Sequence, residues 1–592
     1  MLKMLLLTGL LTTVTPDIED FYDYSLLADA VVTADKGLTV SSCDRLFVKP
    51  FTSSVTDLLL LSPSLQLNDY GSLAGLKTVS FRGFGSAHTN IYIDGIKVNN
   101  VQAGQADLGF LPIEAISHAV VNYAQNSIDF RTERTWIYGN EKKIGGKVGM
   151  KVGSFGTFIP YVRLDYRTPK DYLISLNSSY TYSEGDFAYS DTNKRENNDI
   201  KAFKCGLDLF KDIKNGDFHS KAYVHSSERG IPGSLAWPST DRQKDLNAFL
   251  QANLKKRFSK LYTLNLSGKI SDDKLDYISE WGNSNYNLVN AQLNSVHLFK
   301  ANRHLNFSLA ANAALDKLHS ELYDALRAEF FSAAAARYEN DIIDTRAALE
   351  YSAVLEENGK IRGMLLPSLS AKVNIPKILT ISALVCKTYS EPTFNDLFYP
   401  GYGNPDLKAE HGWIMDIGID HVHILKEGKY YVTANFFYHN LTDKIISAPT
   451  SDPTIWMPSN IGKVKAKGVD LVAGIQHNFL NAFRLYLKAK YNFLDARDVP
   501  FTSRHSCVVD AKIEYETNTA LGLVWQGHFD RTGSSGEALK NWNTLDINLY
   551  RFFPNRISAN LSLKNILNYR YELVSDYPMP ARSIILGIQY NF

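Results

Sequence analysis

The side chains best suited to chemistry fall into three groups. Between Glu184 and Asp199 a polar stretch gathers Glu184, Asp186, Asp191, Glu196, Asn197, Asn198 and Asp199, and Asp241 and Asp245 follow in the next polar segment. Hard oxygen ligands at this density suit Ca²⁺, which accepts flexible cages of carboxylates and carbonyls. Lys194 and Arg195 interrupt the run and EF-hand spacing is missing, so a solvated acidic loop is the competing explanation. Trp237, Trp281, Phe398 and Tyr399 stand at the edges of polar segments, where flat rings either stack on a planar ligand or belt a membrane interface. Among the histidines, His421 and His423 share a strand face and His411 follows an Asn-Pro-Asp-Leu run; imidazoles can ligate haem iron, but these form no convincing group. There is no nucleophile–base pair at informative spacing, no Walker loop and no H-E-x-x-H helix, so the chain is read as a non-enzyme.

Composition sets what must position these residues. The chain has 592 residues, with 63 Lys+Arg against 62 Asp+Glu for a net charge of +1, which gives no electrostatic reason to expect nucleic acid. Cys43, Cys205, Cys386 and Cys507 lie too far apart for a CxxC motif, and their pairing cannot be read from spacing. Tyr (33) and Phe (31) greatly outnumber Trp (7), although mean hydropathy is slightly negative. No apolar run reaches 18 residues, so an ordinary helical membrane span is excluded and only a β-barrel can cross a bilayer. Met1 to Pro16 pairs Lys3 with an apolar stretch, like a secretory signal; with no A-x-A site following, a mis-set start or a short apolar strand is the alternative.

From residue 145 to the end the chain alternates with period two. Tyr172, Ile174, Leu176, Ser178, Tyr180 and Tyr182 oppose Leu173, Ser175, Asn177, Ser179 and Thr181, and Tyr262 to Ile270 and Ile557 to Lys564 repeat the pattern. A soluble sandwich also alternates, but a stack this long would split into domains, and no linker is visible. A lipid-embedded barrel explains many two-faced strands at low hydropathy, and it must close because open edges in hydrocarbon leave backbone groups without partners. The length suits about 22 antiparallel strands. Ser183 to Asp199 and Glu228 to Asp245 read as long external loops, Lys214 to Asp217 as a short periplasmic turn, and Ser583 to Phe592 as the closing strand.

Residues 17 to 144 read instead as a compact α+β unit. A helical pattern covers Ser54 to Leu61, with Thr56 and Asp57 as its expected start and Pro63 beyond its end. Val79 to Gly85 and Asn90 to Gly95 read as two strands, the second ending in an Asp-Gly turn. Such a unit ahead of a barrel is expected to plug it, so the fold expected is a mainly β transmembrane barrel occluded by an N-terminal α+β plug.

Phe81-Arg82-Gly83-Phe84 followed by Ile91-Tyr92-Ile93-Asp94-Gly95-Ile96-Lys97-Val98 resembles the plug of TonB-dependent outer-membrane receptors. Asp29-Ala30-Val31-Val32-Thr33-Ala34 is similar to the family's TonB box, the segment that offers its backbone to TonB by strand addition. Glu391 to Tyr399 and Gly403 to Glu410 resemble the barrel signature, with Ala409 in place of its usual proline, and Tyr577 to Arg582 with Tyr590-Asn591-Phe592 resemble the last hairpin and closing strand. One departure is Asn122-Tyr123-Ala124-Gln125, which stands where the family has Arg-Gly-Pro.

The resemblance implies residues 1–28 as a signal or N-terminal extension, 29–36 as the TonB-box segment, 37–144 as plug and 145–592 as barrel. It implies a bacterial outer-membrane location and import of a scarce ligand driven by TonB and its inner-membrane energising complex. His88-Thr89, Gln102 to Leu108 and Ser227 to Gly233 most resemble vitamin B12 (cobalamin) receptors of Bacteroidetes type, which makes a corrinoid the expected ligand and haem or an iron siderophore the alternative. Within that picture the ligand-binding candidates are His88, Gln102, Gln105, Trp237, Trp281, Phe398 and Tyr399. Asp186, Asp191, Asp199, Asp241 and Asp245 are the candidate Ca²⁺ ligands, as in receptors whose loops are ordered by calcium. Arg82, with Asp94, is expected to latch the plug, since a guanidinium pairs bidentately with carboxylates of the barrel wall; an ordinary exposed strand charge is the alternative. A surface lipoprotein lid is left open as a further partner, and a passive porin or an adhesin barrel is the rival from another class.

Overall fold

The computed structural model describes residues 43–592 apart from 50–51, 124–125, 135–142, 358, 377, 450–455, 481, 497–498, 500, 517 and 534–535. The TonB-box-like segment 29–34 lies outside the described residues. Twenty-two antiparallel strands close into one barrel, from Ile144–Gly153 to Ser583–Asn591, which pair with each other as Asn591 opposite Lys147 and Ile585 opposite Gly153. Ala538–Leu539 adds a two-residue extension beside Thr519–Thr532. Among the described residues no helix is long and apolar enough to cross a membrane.

The alternation assigns each strand its two solvents. In Tyr172–Ser183, Leu173, Ser175, Asn177 and Ser179 are buried toward the lumen, while Tyr180 is exposed on the outside. Leu207, Leu250 and Ile270 likewise stand outward and exposed, on one cross-strand row through Ala222. Apolar side chains outside and polar ones inside are what a lipid-facing cylinder with a wet lumen requires. Connections at the end holding both barrel termini are short, such as Lys214–Asn215, where Asn215 takes φ +58°. The long ones, 184–199, 391–409, 443–462 and 565–582, share the opposite, external end.

One expected loop is not a loop. Gly216–Gly233 and Pro238–Arg257 run as 18- and 20-residue strands with Glu228 opposite Lys244, so 228–245 forms the top of a hairpin turning at 234–237. Above the lipid both faces of a strand are wet, the apolar half of the alternation disappears, and a continuing strand reads as a polar loop.

The plug packs a five-stranded sheet, a Leu65–Asp69/Lys77–Phe81 hairpin and the short helix Val55–Leu59 around Leu58, Leu59, Phe81, Ile91, Val121 and Phe130. The helix starts earlier than expected. Ser54, not Thr56 or Asp57, is the N-cap: its Oγ accepts from the Asp57 N–H at 3.1 Å, and Asp57 accepts from the Ser53 N–H at 3.1 Å. Asp94 and Gly95, at φ +50° and +83°, turn Asn90–Ile93 back onto Ile96–Lys97.

Candidate functional site

The seam between plug and wall is crossed by several ion pairs. Lys77–Phe81 ends in a turn with Arg82 at φ +42° and Gly83 at φ +84°. A Cβ on Gly83 would sit 3.0 Å from the Ala496 Cβ of the wall, so only glycine lets the turn approach this closely. The turn drives Arg82, 0 % exposed, against the wall across the strand Gly428–Thr442: Nη1 donates to Asp416 on one neighbouring strand at 2.7 Å and Nη2 to Asp470 on the other at 2.5 Å. Its guanidinium lies 4.2 Å from the Phe437 ring centroid. Asn435 donates to Asp416 at 3.1 Å, and Asn492 and Ser64 each to Asp470 at 2.6 Å, so both carboxylates are otherwise hydrogen-bonded as well. Burial disfavours the Arg82 cation; Asp470 and Asp416 more than reverse this and hold it charged.

Other plug side chains reach the wall in the same way. Asp44 pairs with Lys490 and, at 2.9 Å, with Lys488; Lys49 meets Asp510 at 2.5 Å, Glu114 meets Lys151 at 3.1 Å, and Asp107 meets Arg229 at 2.8 Å. Burial pushes the Asp44 carboxyl up, but Lys490 and Lys488 outweigh it and bring it down to about 2. Asp94 plays a different part from the latch expected of it. Its carboxylate accepts from the Thr132 N–H at 2.8 Å and the Thr132 hydroxyl at 2.6 Å, so it ties the plug's own sheet together.

At the external end, the stretch Glu391–Tyr399 forms the five-residue helix Phe394–Phe398, closed by a Thr393/Asp396 capping box. First-turn N–H groups of a helix have no partner within it. Here the Phe394 N–H donates to the Val101 carbonyl and the Asn395 N–H to the Gln102 carbonyl, both at 3.1 Å, so the plug apex completes the helix. Gly104, at φ +71°, makes this possible: a Cβ there would lie 2.6 Å from the Thr393 methyl. Arg327, Glu356, Arg362 and Glu391 form a chain of ion pairs beneath, and Arg327 also donates to the Pro392 carbonyl at 2.8 Å. Tyr323, Phe398, Tyr399 and Tyr402 form a ring cluster over this contact.

The ligand candidates therefore divide. Phe398, Tyr399 and Gln102 come together at the apex, and Gln105 accepts from Ser86 at 2.7 Å nearby in the plug. His88 is buried against Glu410 of the wall, which also takes Lys444 at 3.3 Å. Trp237 and Trp281 sit at separate hairpin tips, 82 % and 97 % exposed.

The acidic residues do not converge either. Asp186 lies 3.3 Å from Lys194, Asp191 2.5 Å from Arg570 and Asp199 2.8 Å from Arg242, while Asp241 accepts from Tyr277 at 2.5 Å and Asp245 from Ser227 at 2.8 Å. Among the described residues no three His, Cys, Asp or Glu side chains are grouped to hold a metal ion. Each of the five carboxylates instead has its own cation or hydroxyl partner.

Sequence reasoning missed the wall partners Asp416, Asp470, Glu410, Lys488, Lys490 and Asp510. Their signal was a charge at an inward position of a strand, joined for Glu410 by its place at the end of the barrel signature. It also missed His439, a buried imidazole stacked 4.7 Å from the Phe84 ring with neither nitrogen hydrogen-bonded among the described residues. Beside the plug, a polar cavity of about 300 Å³ lies between segment 87–104 and the wall strands from Lys269 to Glu391.

A closed barrel carrying a separately folded plug on ion pairs defines the class of plugged β-barrels. The TonB dependent receptor-like beta-barrel family description matches residues 122–566 and the TonB-dependent Receptor Plug Domain matches residues 36–133. The chain belongs to the TonB-dependent receptor family. It is 22% identical over 589 residues to the "Vitamin B12 transporter BtuB" of Vibrio vulnificus strain YJ016, spanning 91% of this chain and 90% of that protein. The protein of the same name from Photobacterium profundum is 21% identical over 575 residues, again covering 91% and 90%. Among solved structures, the FrpB iron transporter of Neisseria meningitidis superposes with a TM-score of 0.78 at 12% identity, covering 93% of this chain and 99% of that one. The hemophore receptor HasR of Serratia marcescens superposes at 0.76, also at 12%, covering 93% and 99%. At such identities these likenesses establish the fold alone.

Proposed function

We propose that the protein imports a corrinoid, with residues 29–34 as the segment on which TonB pulls and the Arg82–Asp416–Asp470 contact as the latch that holds the plug. The observation that carries this reading is that the plug sits inside the closed barrel and is tied to its wall by ion pairs, Arg82 to Asp416 and Asp470, Asp44 to Lys488, Glu114 to Lys151 and Asp107 to Arg229. A passive porin needs an open lumen; here transit requires the plug to rearrange. Polar contacts suit that task, since they release under force without exposing an apolar core to water.

The ligand class rests on the B12 transporters that match the chain along nine-tenths of its length. A corrinoid presents a flat conjugated ring, and Phe398, Tyr399 and Tyr323 supply flat apolar surface over the plug apex. Ligand pressed onto the helix Phe394–Phe398 is then felt by the plug through the Val101 and Gln102 carbonyls. Deleting residues 29–34 should leave binding of cobalamin by cells intact and abolish its uptake. Uptake at the wild-type rate overturns the energised-import reading, and haem binding more tightly than cobalamin to the purified protein overturns the ligand class.

A further inference from the structure

We propose that the outward face of Lys463–Phe479, at its external end, is a binding site for a phosphorylated glycolipid headgroup of the outer leaflet. Lys463, Lys465 and Lys467 occupy alternate positions of this strand and are all exposed, whereas Ala466 and Asp470 are buried on the lumen side. The three ammonium groups therefore share the outer face, in a column about 13 Å long at roughly 3.3 Å per residue. Below them the same face presents exposed Leu471 to lipid, and on the neighbouring strands Lys467 stands opposite Tyr438 and Lys465 opposite Asn440, which itself faces Trp413. Tyrosine and tryptophan at that height mark the edge of the hydrocarbon, so the column rises from the interface into the headgroup layer.

Charge decides what it binds. Lys463 and Lys465 have no ion-pair partner among the described residues, and Lys467 has Asp495 only at 3.6 Å. The comparable external face around Lys201 and Lys244 differs: Lys201 is opposite Glu228, Glu228 opposite Lys244 and Lys244 opposite Asp276, a row that neutralises itself. The column keeps Lys463 and Lys465 unpaired among the described residues above the Lys467–Asp495 pair, a net positive charge spread over more than the width of one phosphate. Its chemistry fits a headgroup carrying two phosphates on a disaccharide, with the acyl chains lying over Leu471.

The test uses the full-length protein, stripped of lipid in detergent, as wild type, as Lys463→Gln/Lys465→Gln/Lys467→Gln, and as Lys201→Gln/Lys244→Gln as the control. Heat-modifiable gel migration verifies that each barrel is closed. Binding of bis-phosphorylated lipid A, its dephosphorylated form, phosphatidylglycerol and inorganic phosphate is read by native mass spectrometry. With roughly fivefold per lysine beside an anionic surface, the column variant should bind bis-phosphorylated lipid A about a hundredfold more weakly, while the control binds as wild type does. Equal binding by the column variant and wild type overturns the site. Equal retention of phosphatidylglycerol or inorganic phosphate by wild type overturns the headgroup assignment.

Discussion

Replacing Arg82 by methionine tests the latch, because it removes one cation from between two buried carboxylates. Arg82 is 0 % exposed and the Asp416 and Asp470 side chains are 9 % exposed, so neither charge recovers its hydration while the plug stays seated. Breaking a buried pair by deleting one partner costs about 3–5 kcal/mol. Asn435, Asn492 and Ser64 remain as donors to the two aspartates and keep the figure from rising further. About 4 kcal/mol is close to a thousandfold in the seated-to-released ratio of the plug. With a urea slope of about 2 kcal/mol/M for a domain of plug size, the midpoint of plug release should fall by about 2 M. The readout is ion conductance of the reconstituted protein against urea, since release opens the lumen while the barrel persists. Neutralising both carboxylates in Arg82→Met/Asp416→Asn/Asp470→Asn should recover most of the loss. A single variant that releases within about 0.3 M of wild type, or a triple variant no better than the single, would refute the idea that this contact holds the plug by charge.

Gly83→Ala puts a Cβ at φ +84° and 3.0 Å from Ala496, so it should lower the same midpoint by about 0.5–1 M, from about 1–2 kcal/mol of left-handed strain. Asp44, held at about 2 against an ordinary 3.8, favours the folded plug at every pH above the ordinary value. That contribution of about 2 kcal/mol should vanish as pH falls through 2, so conductance titrated from pH 5 to pH 2 should show plug release that Asp44→Asn no longer shows over that range. Calcium entering the external loops must displace Arg570 from Asp191 and Arg242 from Asp199, so Arg570→Ala/Arg242→Ala should bind Ca²⁺ more tightly than wild type by calorimetry; unchanged affinity removes these aspartates as ligands. Trp237→Ala and Trp281→Ala should leave stability within about 0.5 kcal/mol, because both rings are exposed, and a loss of cobalamin affinity in either would place that hairpin tip at the ligand.

What could be read in the sequence is what a solvent imposes on it. Lipid demands apolar side chains on one face and the wet lumen tolerates polar ones on the other, so Tyr172 to Tyr182 declares its two faces without reference to any other segment. Where that contrast ends the reading ends with it: Glu228 to Asp245 rises above the bilayer, both faces meet water, and a hairpin reads as a loop. Local chemistry was legible to within a turn, since Ser54 and Asp57 carry a capping signature that Thr56 only obscured. Arg82 was conspicuous as a charge between Phe81 and Gly83, but its partners lie 334 and 388 residues further on. Asp191, which looked like a metal ligand beside its acidic neighbours, is answered by Arg570 379 residues away. A closed barrel brings such distant positions together by register alone, and register depends on every strand between them. The charges inside therefore carry meaning only in pairs, and the pairs exist only once the cylinder has closed around the plug.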